Sequence, residues 1–144
     1  MHRILVDSDV ILDLFMAREP HHSVALRFFS YLDLNSSTVV GHVSPLAVSN
    51  VAYILTKAQS QSYAIKKVKA LRQILNVASL DSQAVDVAIA TPGKDFEDTL
   101  QYQCALANKL STIVTRNVKD YPRDAVTIVT PQEFLAMDFM DKST

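Results

Sequence analysis

The feature that most restricts the fold of this chain is the spacing of four short apolar runs. They lie at residues 3–6, 38–43, 112–115 and 126–129, and each is rich in β-branched residues and too short to form a helix. None alternates between apolar and polar residues, which is typical of strands covered on both faces of a sheet. The runs therefore predict a buried sheet, and residues 77–80 are a candidate for one more strand.

The stretches between these runs have the apolar period of helices. Residues 23–34, 46–58, 63–75 and 96–110 each carry apolar side chains at helical spacing. Because parallel strands need crossover connections, this alternation predicts an α/β fold with a parallel sheet and helices on both faces. In such a fold, ligands bind in the crevice outside the carboxyl ends of the strands.

The composition limits the class of protein. With 144 residues, 49% of them hydrophobic and 20% charged, the chain resembles one globular domain over residues 1–144. It shows no basic leader and no apolar stretch near the ~18 residues of a membrane span, so we expect a cytoplasmic protein. The single cysteine, Cys104, excludes an internal disulfide and a zinc–thiolate site. The net charge of -1 gives no overall attraction to nucleic acid, so a polyanionic substrate requires local cations or a metal.

The first apolar run ends abruptly in carboxylates. In the segment MHRILVDSDVILDLF, Asp7 directly follows the predicted strand, and Asp9 comes two residues later. Burying a carboxylate among aliphatic side chains is costly unless its charge is paired. Because Asp7 stands at the carboxyl end of a strand, we predict that it lies in the ligand crevice. Asp9 has a structural alternative as a helix N-cap, and Asp13, four residues further on, is predicted to be a structural acid.

Three further stretches place polar residues at a strand end or a helix start. They are SPLAVSN at 44–50, KDFED at 94–98 and TRNVKD at 115–120. Each has a structural alternative, because Asp95 and Asp98 have the spacing of a helix capping box, and Asn117 and Asp120 are residue types common in turns.

The joint occurrence of these acids favours a metal site. Asp7 and Asp120 are expected at the same edge of the sheet, where their charges repel one another unless a divalent cation lies between them. Hard oxygen ligands select Mg²⁺ or Mn²⁺, and Mg²⁺ is usually held by one or two carboxylates together with water. With two glycines the chain has no phosphate-binding loop, and no serine lies in a nucleophile elbow.

These residues resemble the PIN domain, the nuclease fold of the bacterial VapC-type toxins. ILVDSDVILDLF is similar to the first motif of that family, and four later motifs follow in the family's order. They are VSPLAVSN at 43–50, DFEDTLQY at 95–102, IVTRN at 113–117 with KDY at 119–121, and VTIVTPQEFL at 126–135. The resemblance implies a three-layer α/β/α sandwich with a central, mostly parallel sheet. It also implies hydrolysis of RNA phosphodiester bonds with Mg²⁺ or Mn²⁺ as cofactor.

The family commonly places four acidic residues around the metal. The resemblance puts the first at Asp7 and the third at Asp98, but the second falls on Asn50 and the fourth on Asn117. Two negative charges are therefore missing, which weakens a site for a hard cation. Asp120, three residues beyond Asn117, is the candidate to restore one of them. We therefore predict these five residues as the catalytic set, with the three aspartates as metal ligands.

Other residues and partners receive supporting roles through the same resemblance. The residues predicted to surround the metal and its ligands are Asp9, Asp95, Glu97, Ser44 and Thr115. The residues predicted to contact RNA phosphates are Lys94, Arg116 and Lys119. The expected partners are RNA, an antitoxin protein that inserts into the active-site groove, and a second copy of the chain in a homodimer.

Two other functions stay open on the residues alone. The missing carboxylates favour a PIN-fold module that binds RNA or protein without cleaving it. ILVDSDVI also matches the opening of haloacid-dehalogenase-like phosphotransferases, in which Asp7 is the nucleophile and Asp9 the general acid. That family needs a later lysine and an acidic pair after a hydrophobic strand, and Thr115, Arg116 and Asn117 provide neither.

Overall fold

The computed structural model describes residues 1–91 and 93–137. Its strands are β1 (His2–Val6), β2 (Val39–Val43), β3 (Leu75–Val77), β4 (Thr112–Val114) and β5 (Thr127–Val129). They form one parallel sheet in the order β3-β2-β1-β4-β5. The α-helices are α1 (Ser8–Phe15), α2 (His21–Leu34), α3 (Pro45–Ala58), α4 (Gln61–Arg72), α5 (Ser82–Ala90), α6 (Phe96–Ala107) and α7 (Pro131–Ala136). The predicted α/β fold is therefore confirmed.

The sheet is covered on both faces, as its uninterrupted apolar strands predict. Ile4 and Val6 of β1 belong to a core cluster that contains residues of α1, α2, α3, α4 and Phe134 of α7. Leu5, between them in sequence, points to the opposite face and packs in a second cluster with Tyr102 of α6. Helix α5 packs against α6 on that second side. The result is the three-layer sandwich expected from the sequence.

The β3 strand is shorter and earlier than predicted. We expected residues 63–75 to be helical and 77–80 to be a strand, but α4 ends at Arg72 and β3 begins at Leu75. The reason is the close approach of Leu75 to Gly41 of β2, with which it is paired in the sheet. A Cβ at Gly41 would lie only 2.5 Å from Cδ2 of Leu75, so the glycine makes room for that side chain. The apolar period of α4 continues by coincidence into the strand.

Helix α5 is absent from our prediction. Its buried residues are the small Ala84 and Ala88, whereas its larger apolar side chains Val87 and Ile89 are 40% and 68% exposed. The pattern of large apolar residues therefore gives no sign of an inward face. The helix start is nevertheless encoded, because the Asp81 carboxylate accepts a hydrogen bond from the backbone N–H of Ala84 at 3.0 Å.

The order of the strands creates a crevice between β1 and β4. From β1 the chain runs outward through β2 and β3 on one side, and through β4 and β5 on the other, so the two strands form a topological switch point. Asp7 lies directly beyond β1, and its backbone N–H donates to the carbonyl of Val114 at 2.9 Å. Thr115 follows β4 at the same edge. The fold thus brings the acidic start of α1 beside the TRN segment.

Among the residues that the structure describes, every helix is too short or too polar to cross a lipid bilayer.

Candidate active site

Asp7 is the most highly hydrogen-bonded acid at the crevice. It caps α1, with its Oδ1 atom accepting from the backbone N–H of Ser8 at 2.7 Å. Its Oδ2 atom accepts from the hydroxyls of Thr115 and Tyr121 at 2.9 and 3.0 Å, and Oδ1 also accepts from Nε2 of Gln101 at 3.3 Å. All four donors are neutral, so they orient the carboxylate without cancelling its charge.

Gln101 and Ser44 form a buried support behind Asp7. Gln101 is 2% exposed and Ser44 is fully buried. The Ser44 hydroxyl donates a short hydrogen bond to Oε1 of Gln101, whose amide nitrogen donates to Asp7. Ser44 also caps α3 by accepting from the backbone N–H of Ala47 at 3.0 Å. Ser44 is thus linked to the carboxylate of Asp7 through the side chain of Gln101.

Asp9 does not cap α1, which corrects one of the alternatives we left open. The cap is Asp7, because the helix begins at Ser8. Asp9 instead turns its Oδ2 atom toward the end of β4, where it accepts from the backbone N–H of Arg116 at 3.1 Å and from Nδ2 of Asn117 at 3.0 Å. Its Oδ1 atom is buried and has no hydrogen-bond partner among the described residues. Burial and the neighbouring Asp7 raise the pKa of Asp9 to about 7.

Asp98 reaches the crevice from the first turn of α6. Asp95 caps this helix, accepting from the backbone N–H of Asp98 at 3.2 Å. Burial, followed by repulsion from Asp7, Asp95 and Asp120, raises the pKa of Asp98 to about 6. The same causes, burial and then Asp95 and Asp7, raise the pKa of Glu97. Gln101 contacts Asp7 and stands three residues after Asp98, so both lie on the face of α6 that is turned to β1.

The two asparagines at predicted acidic positions contact α1. Nδ2 of Asn50 donates to the hydroxyl of Ser8 at 3.1 Å, and Asn117 donates to Asp9. Asp120 ends a single turn of 3₁₀ helix (Val118–Asp120), where its side chain is exposed and raises the pKa of Asp98. The structure therefore gathers all five predicted catalytic positions around the carboxyl ends of β1, β2 and β4.

Arg116, which we predicted to contact RNA, is engaged by Asp13. Its Nε and Nη2 atoms lie 2.6 and 3.2 Å from the two carboxylate oxygens of Asp13, and Nε of Arg18 lies 3.1 Å from the same group. Asp13 is 1% exposed. It is thus the structural acid that its position in the helix predicts.

A groove of about 530 Å³ extends from the acidic site. Asp98 and Asp120 line this groove. Lys94 and Lys119, which we predicted to contact RNA phosphates, line it as well. Tyr121 also lines it. The groove is therefore an acidic site with two flanking lysines, a combination that suits a polyanion only if the carboxylates are neutralised.

Tyr121 and Gln101 are the two residues of the site that our residue-level reasoning did not assign. Tyr121 is 5% exposed, and burial together with Asp7 and Asp98 raises its pKa well above the usual value, so its hydroxyl remains a donor. Both residues occur within the quoted motifs DFEDTLQY and KDY, but neither has a charge that would mark it as functional.

A comparison with known protein families matches residues 3–119 to the PIN domain. The chain belongs to the PIN domain family. This confirms the resemblance of the ordered motifs, and it gives no support to the haloacid-dehalogenase alternative, whose opening strand and DxD motif are shared only locally.

Individual relatives of this PIN domain are distant in sequence and cover between 76% and 92% of it. Ribonuclease VapC1 of Aquifex aeolicus (strain VF5) is 27% identical over 137 residues, which cover 92% of each protein. Among solved structures, VapBC2 from Rickettsia felis, bound to a DNA fragment from their promoter, matches with a TM-score of 0.66 and 13% identity, covering 88% of this chain and 96% of that one. VapC20 of Mycobacterium tuberculosis, a sarcin-ricin loop cleaving toxin, matches with a TM-score of 0.61 and 15% identity, covering 76% of this chain and 86% of that one. These structures share the fold of this PIN domain.

The acids of this PIN domain fit a cation that is held largely by water. In residues 1–91 and 93–137, no group of three or more His, Cys, Asp or Glu side chains is placed to share one metal ion. The negative charge of Asp7 nevertheless contributes to the raised pKa of Asp98. Neither carboxylate forms an ion pair within the part of the chain that the structure describes. Mg²⁺ suits such a site, because it keeps several waters and needs one or two carboxylates. Three direct protein ligands therefore stay a prediction.

Proposed function

We propose that this PIN domain is an endoribonuclease that hydrolyses RNA phosphodiester bonds with Mg²⁺ or Mn²⁺. One observation carries the proposal: Asp7 caps α1 at the carboxyl end of β1, and Asp98 lies on the face of α6 whose Gln101 contacts Asp7. Burial and then the negative charge of Asp7 raise the pKa of Asp98. A divalent cation between the two carboxylates would relieve their repulsion. The names of two relatives, a ribonuclease and a sarcin-ricin loop cleaving toxin, support RNA as the substrate class.

The residues of the chain have distinct tasks in this mechanism. Asp7 and Asp98 would hold the cation, which would supply polarisation of a phosphoryl oxygen and a lowered pKa of water. Thr115, Tyr121 and Gln101 orient the carboxylate of Asp7 by donating hydrogen bonds to it. Neutral donors suit this task, since a positively charged donor in their place would compete with the cation.

The substrate is expected to lie along the groove beside α6. Lys94 and Lys119 line the groove together with Asp98, so phosphates on either side of the cleaved bond can contact their ammonium groups. Arg116 is expected to contribute less, because its guanidinium group is already bound to Asp13. A shallow groove of this kind admits an exposed single strand or loop better than a duplex.

A magnesium or manganese titration with a pool of single-stranded RNA tests the proposal. We expect cleavage that requires the cation, is blocked by excess chelator, and falls at least ~100-fold in Asp7→Asn because that change removes a direct ligand. Asp33→Asn, which removes one exposed acid from α2, is the matched control and should cleave normally. Equal cleavage by wild type and Asp7→Asn would sink the proposal.

A non-catalytic PIN module is the second candidate, and one observation favours it. The described residues offer no three-ligand cluster for a metal, and Asn50 and Asn117 occupy positions where the resemblance puts charge. On this alternative the domain binds RNA with the same affinity in chelator as in Mg²⁺, and no RNA is cut. The titration described above separates the two functions, because only the nuclease links cleavage to the cation.

We further propose that the domain pairs with an antitoxin protein. Support comes from a toxin-antitoxin complex of Klebsiella pneumoniae, in which the matched chain shares this fold with a TM-score of 0.61. Co-expression with the protein encoded by an adjacent small gene should yield a stable complex in which cleavage is suppressed. A complex that forms and leaves cleavage unchanged would contradict inhibition at the active site. The homodimer stays a prediction, to be checked by light scattering on the isolated chain.

A further inference from the structure

The groove beside α6 continues well past the acidic site. Asp98, Tyr102 and Leu106 all line it, and they follow one another at intervals of four residues along the helix. Side chains at this spacing lie on one face of a helix. At ~1.5 Å per residue, Tyr102 stands about 6 Å and Leu106 about 12 Å beyond Asp98 along the helix axis. The groove therefore has an acidic end at Asp98 and a far end at Leu106.

The two ends of the groove differ in chemistry. Both lysines belong to the acidic end, because Lys94 precedes α6 and Lys119 is next to Asp120, whose charge acts on Asp98. The far end is lined by apolar groups that are open to solvent, those of Leu106, Pro122 and Ala125, and by the mostly buried ring of Tyr102. Phosphates are thus attracted to the acidic end once its carboxylates are neutralised, whereas the far end suits a flat apolar group.

One carboxylate, that of Asp124, is fixed beside these apolar groups. Its Oδ1 atom accepts from the Tyr102 hydroxyl at 3.0 Å, and the same hydroxyl accepts from the backbone N–H of Ala125 at 3.2 Å. Burial, followed by the hydrogen bond to Asp124, raises the pKa of Tyr102, so its hydroxyl keeps the proton that it donates. Within residues 1–91 and 93–137 the Oδ2 atom of Asp124 has no hydrogen-bond donor, and the carboxylate has no cationic partner.

The charge of Asp124 determines what the far end can bind. A carboxylate repels phosphate, and it accepts hydrogen bonds without donating any. The group that fits is therefore flat and apolar on its faces, with N–H donors on its edge, which describes a nucleobase of single-stranded RNA. Guanine presents two adjacent donors on one edge, its N1–H and its 2-amino group. Adenine, cytosine and uracil each place an acceptor beside the donor on that edge, and this acceptor would face the second carboxylate oxygen.

We propose that the far end of the groove is a pocket for a guanine base of the RNA substrate, and that Asp124 is the residue that selects it. Asp124 accepts from the N1–H and the 2-amino group, and Leu106 and Pro122 contact the faces of the base. Tyr102 is a positioning residue, because it orients Asp124. The inference rests on the proposed RNA substrate. Since the pocket is about 6–12 Å from Asp98 along α6, the cleaved bond lies within a few nucleotides of the guanine.

Binding of short oligonucleotides to the full chain tests the pocket. The probes are oligouridylates with one central guanosine or one central adenosine, measured by fluorescence anisotropy in excess chelator so that no RNA is cut. We expect wild type to bind the guanosine probe ~10-fold more tightly, as is usual for a base read through two hydrogen bonds. Inosine, which lacks only the 2-amino group, should lose most of this difference. A probe with 7-deazaguanosine, altered on the opposite edge, should bind as the guanosine probe does.

Asp124→Asn changes the reading group and keeps its anchor. The amide oxygen still accepts from Tyr102, while an NH₂ donor replaces the Oδ2 acceptor. We expect the ratio of the two Kd values to fall to about 1, while the all-uridine probe binds at least as tightly as to wild type, because a negative charge is removed. Asp33→Asn should keep the wild-type ratio. If Asp124 serves only to hold Tyr102, Asp124→Asn weakens all probes by one factor and leaves the ratio unchanged, which would overturn the inference.

Cleavage of the same probes separates this inference from the proposed function. If wild type with Mn²⁺ cuts the guanosine and all-uridine probes equally and binds them equally, the pocket fails and the nuclease stands. If wild type prefers guanosine in binding and cuts no probe with Mg²⁺ or Mn²⁺, the nuclease fails and the pocket stands. If wild type binds none of the probes, both fail. On our account, cuts by wild type cluster near the guanosine, and in Asp124→Asn they spread along the probe.

Discussion

The two ends of α1 treat their carboxylates in opposite ways. At the C-terminal end, buried Asp13 is held by the guanidinium groups of Arg18 and Arg116. At the N-terminal end, the donors that Asp7 and Asp9 accept from within residues 1–91 and 93–137 are all neutral. In the part of the chain that the structure describes, the acid that supports the fold therefore has cationic partners, and the acids that face the crevice have none. We infer from this contrast that the carboxylates at the N-terminal end of α1 bind a cation from solution.

The largest expected effect concerns the paired end. Asp13→Asn leaves Arg116 and Arg18 facing a neutral amide, and removing one partner of a buried ion pair typically costs ~3 kcal/mol or more of the free energy of unfolding. Urea denaturation measures this loss. Arg18→Ala, which removes a partner that is 42% exposed, should cost far less. Equal losses for the two variants would contradict this expectation, because the buried acid would then contribute no more to stability than its partly exposed partner.

The next effect concerns the unpaired end and has the opposite sign. Adding Mn²⁺ at about 100 times its Kd should stabilise the folded protein by ~2.7 kcal/mol, because the cation binds only the folded state. Thermal unfolding at neutral pH, with and without Mn²⁺, reports it. The stabilisation should disappear in Asp7→Asn and persist in Asp33→Asn. A shift that survives Asp7→Asn would locate the cation elsewhere.

The pH dependence of the metal-free protein sharpens the comparison further. Asp9 and Asp98 have pKa values raised from 3.8 to about 7 and about 6, so each binds its proton more tightly in the folded state. Their stabilising contribution is complete below the unfolded pKa and is lost as the pH rises through the folded pKa. We therefore expect the free energy of unfolding of the metal-free protein to fall as the pH rises from about 4 to about 8. Asp9→Asn should flatten this slope, and an unchanged slope would contradict the assignment.

The smallest effect concerns the lysines of the groove. Lys94→Ala and Lys119→Ala should each weaken RNA binding about threefold at moderate salt and reduce the salt dependence, because one phosphate contact is lost. Lys66→Ala, on the exposed face of α4, is the control. Filter binding with a single-stranded RNA measures all three. If Lys66→Ala has the greatest effect, RNA follows α4 instead of the groove.

The placement of Asp7 and Asp98 at the crevice was predictable because both residues are marked by position and by type. Asp7 directly follows the apolar run Ile4, Leu5 and Val6 that ends β1, and Asp98 stands at a helix start within an ordered set of motifs. Gln101 and Tyr121 were not assigned, because their contacts with Asp7 join residues 94 and 114 positions apart, and a neutral donor leaves no charge pattern. Such contacts become visible only when the sheet order is known.

The sequence could not decide between the two roles left open for Asp9, or reveal the pairing of Arg116 with Asp13, for a related physical reason. An aspartate between a strand and a helix can cap the helix or contact another strand end, and the local sequence is the same in both cases. The structure decides between them, because α1 begins at Ser8 and Asp7 is therefore the cap. Arg116 looked free because its partner Asp13 is over a hundred residues away in the chain. The β3 strand was misplaced since Leu75 continues the period of α4 into the sheet.

The most direct test of the account is a crystal structure with Mn²⁺. We predict one anomalous peak at the N-terminal end of α1, with carboxyl oxygens of Asp7 and Asp98 within ~2.5 Å of the ion or linked to it by one water. Asp13 should stay bound to its two arginines. A peak at another site, or carboxylates of Asp7 and Asp98 that turn apart with no ion between them at saturating Mn²⁺, would contradict the central claim.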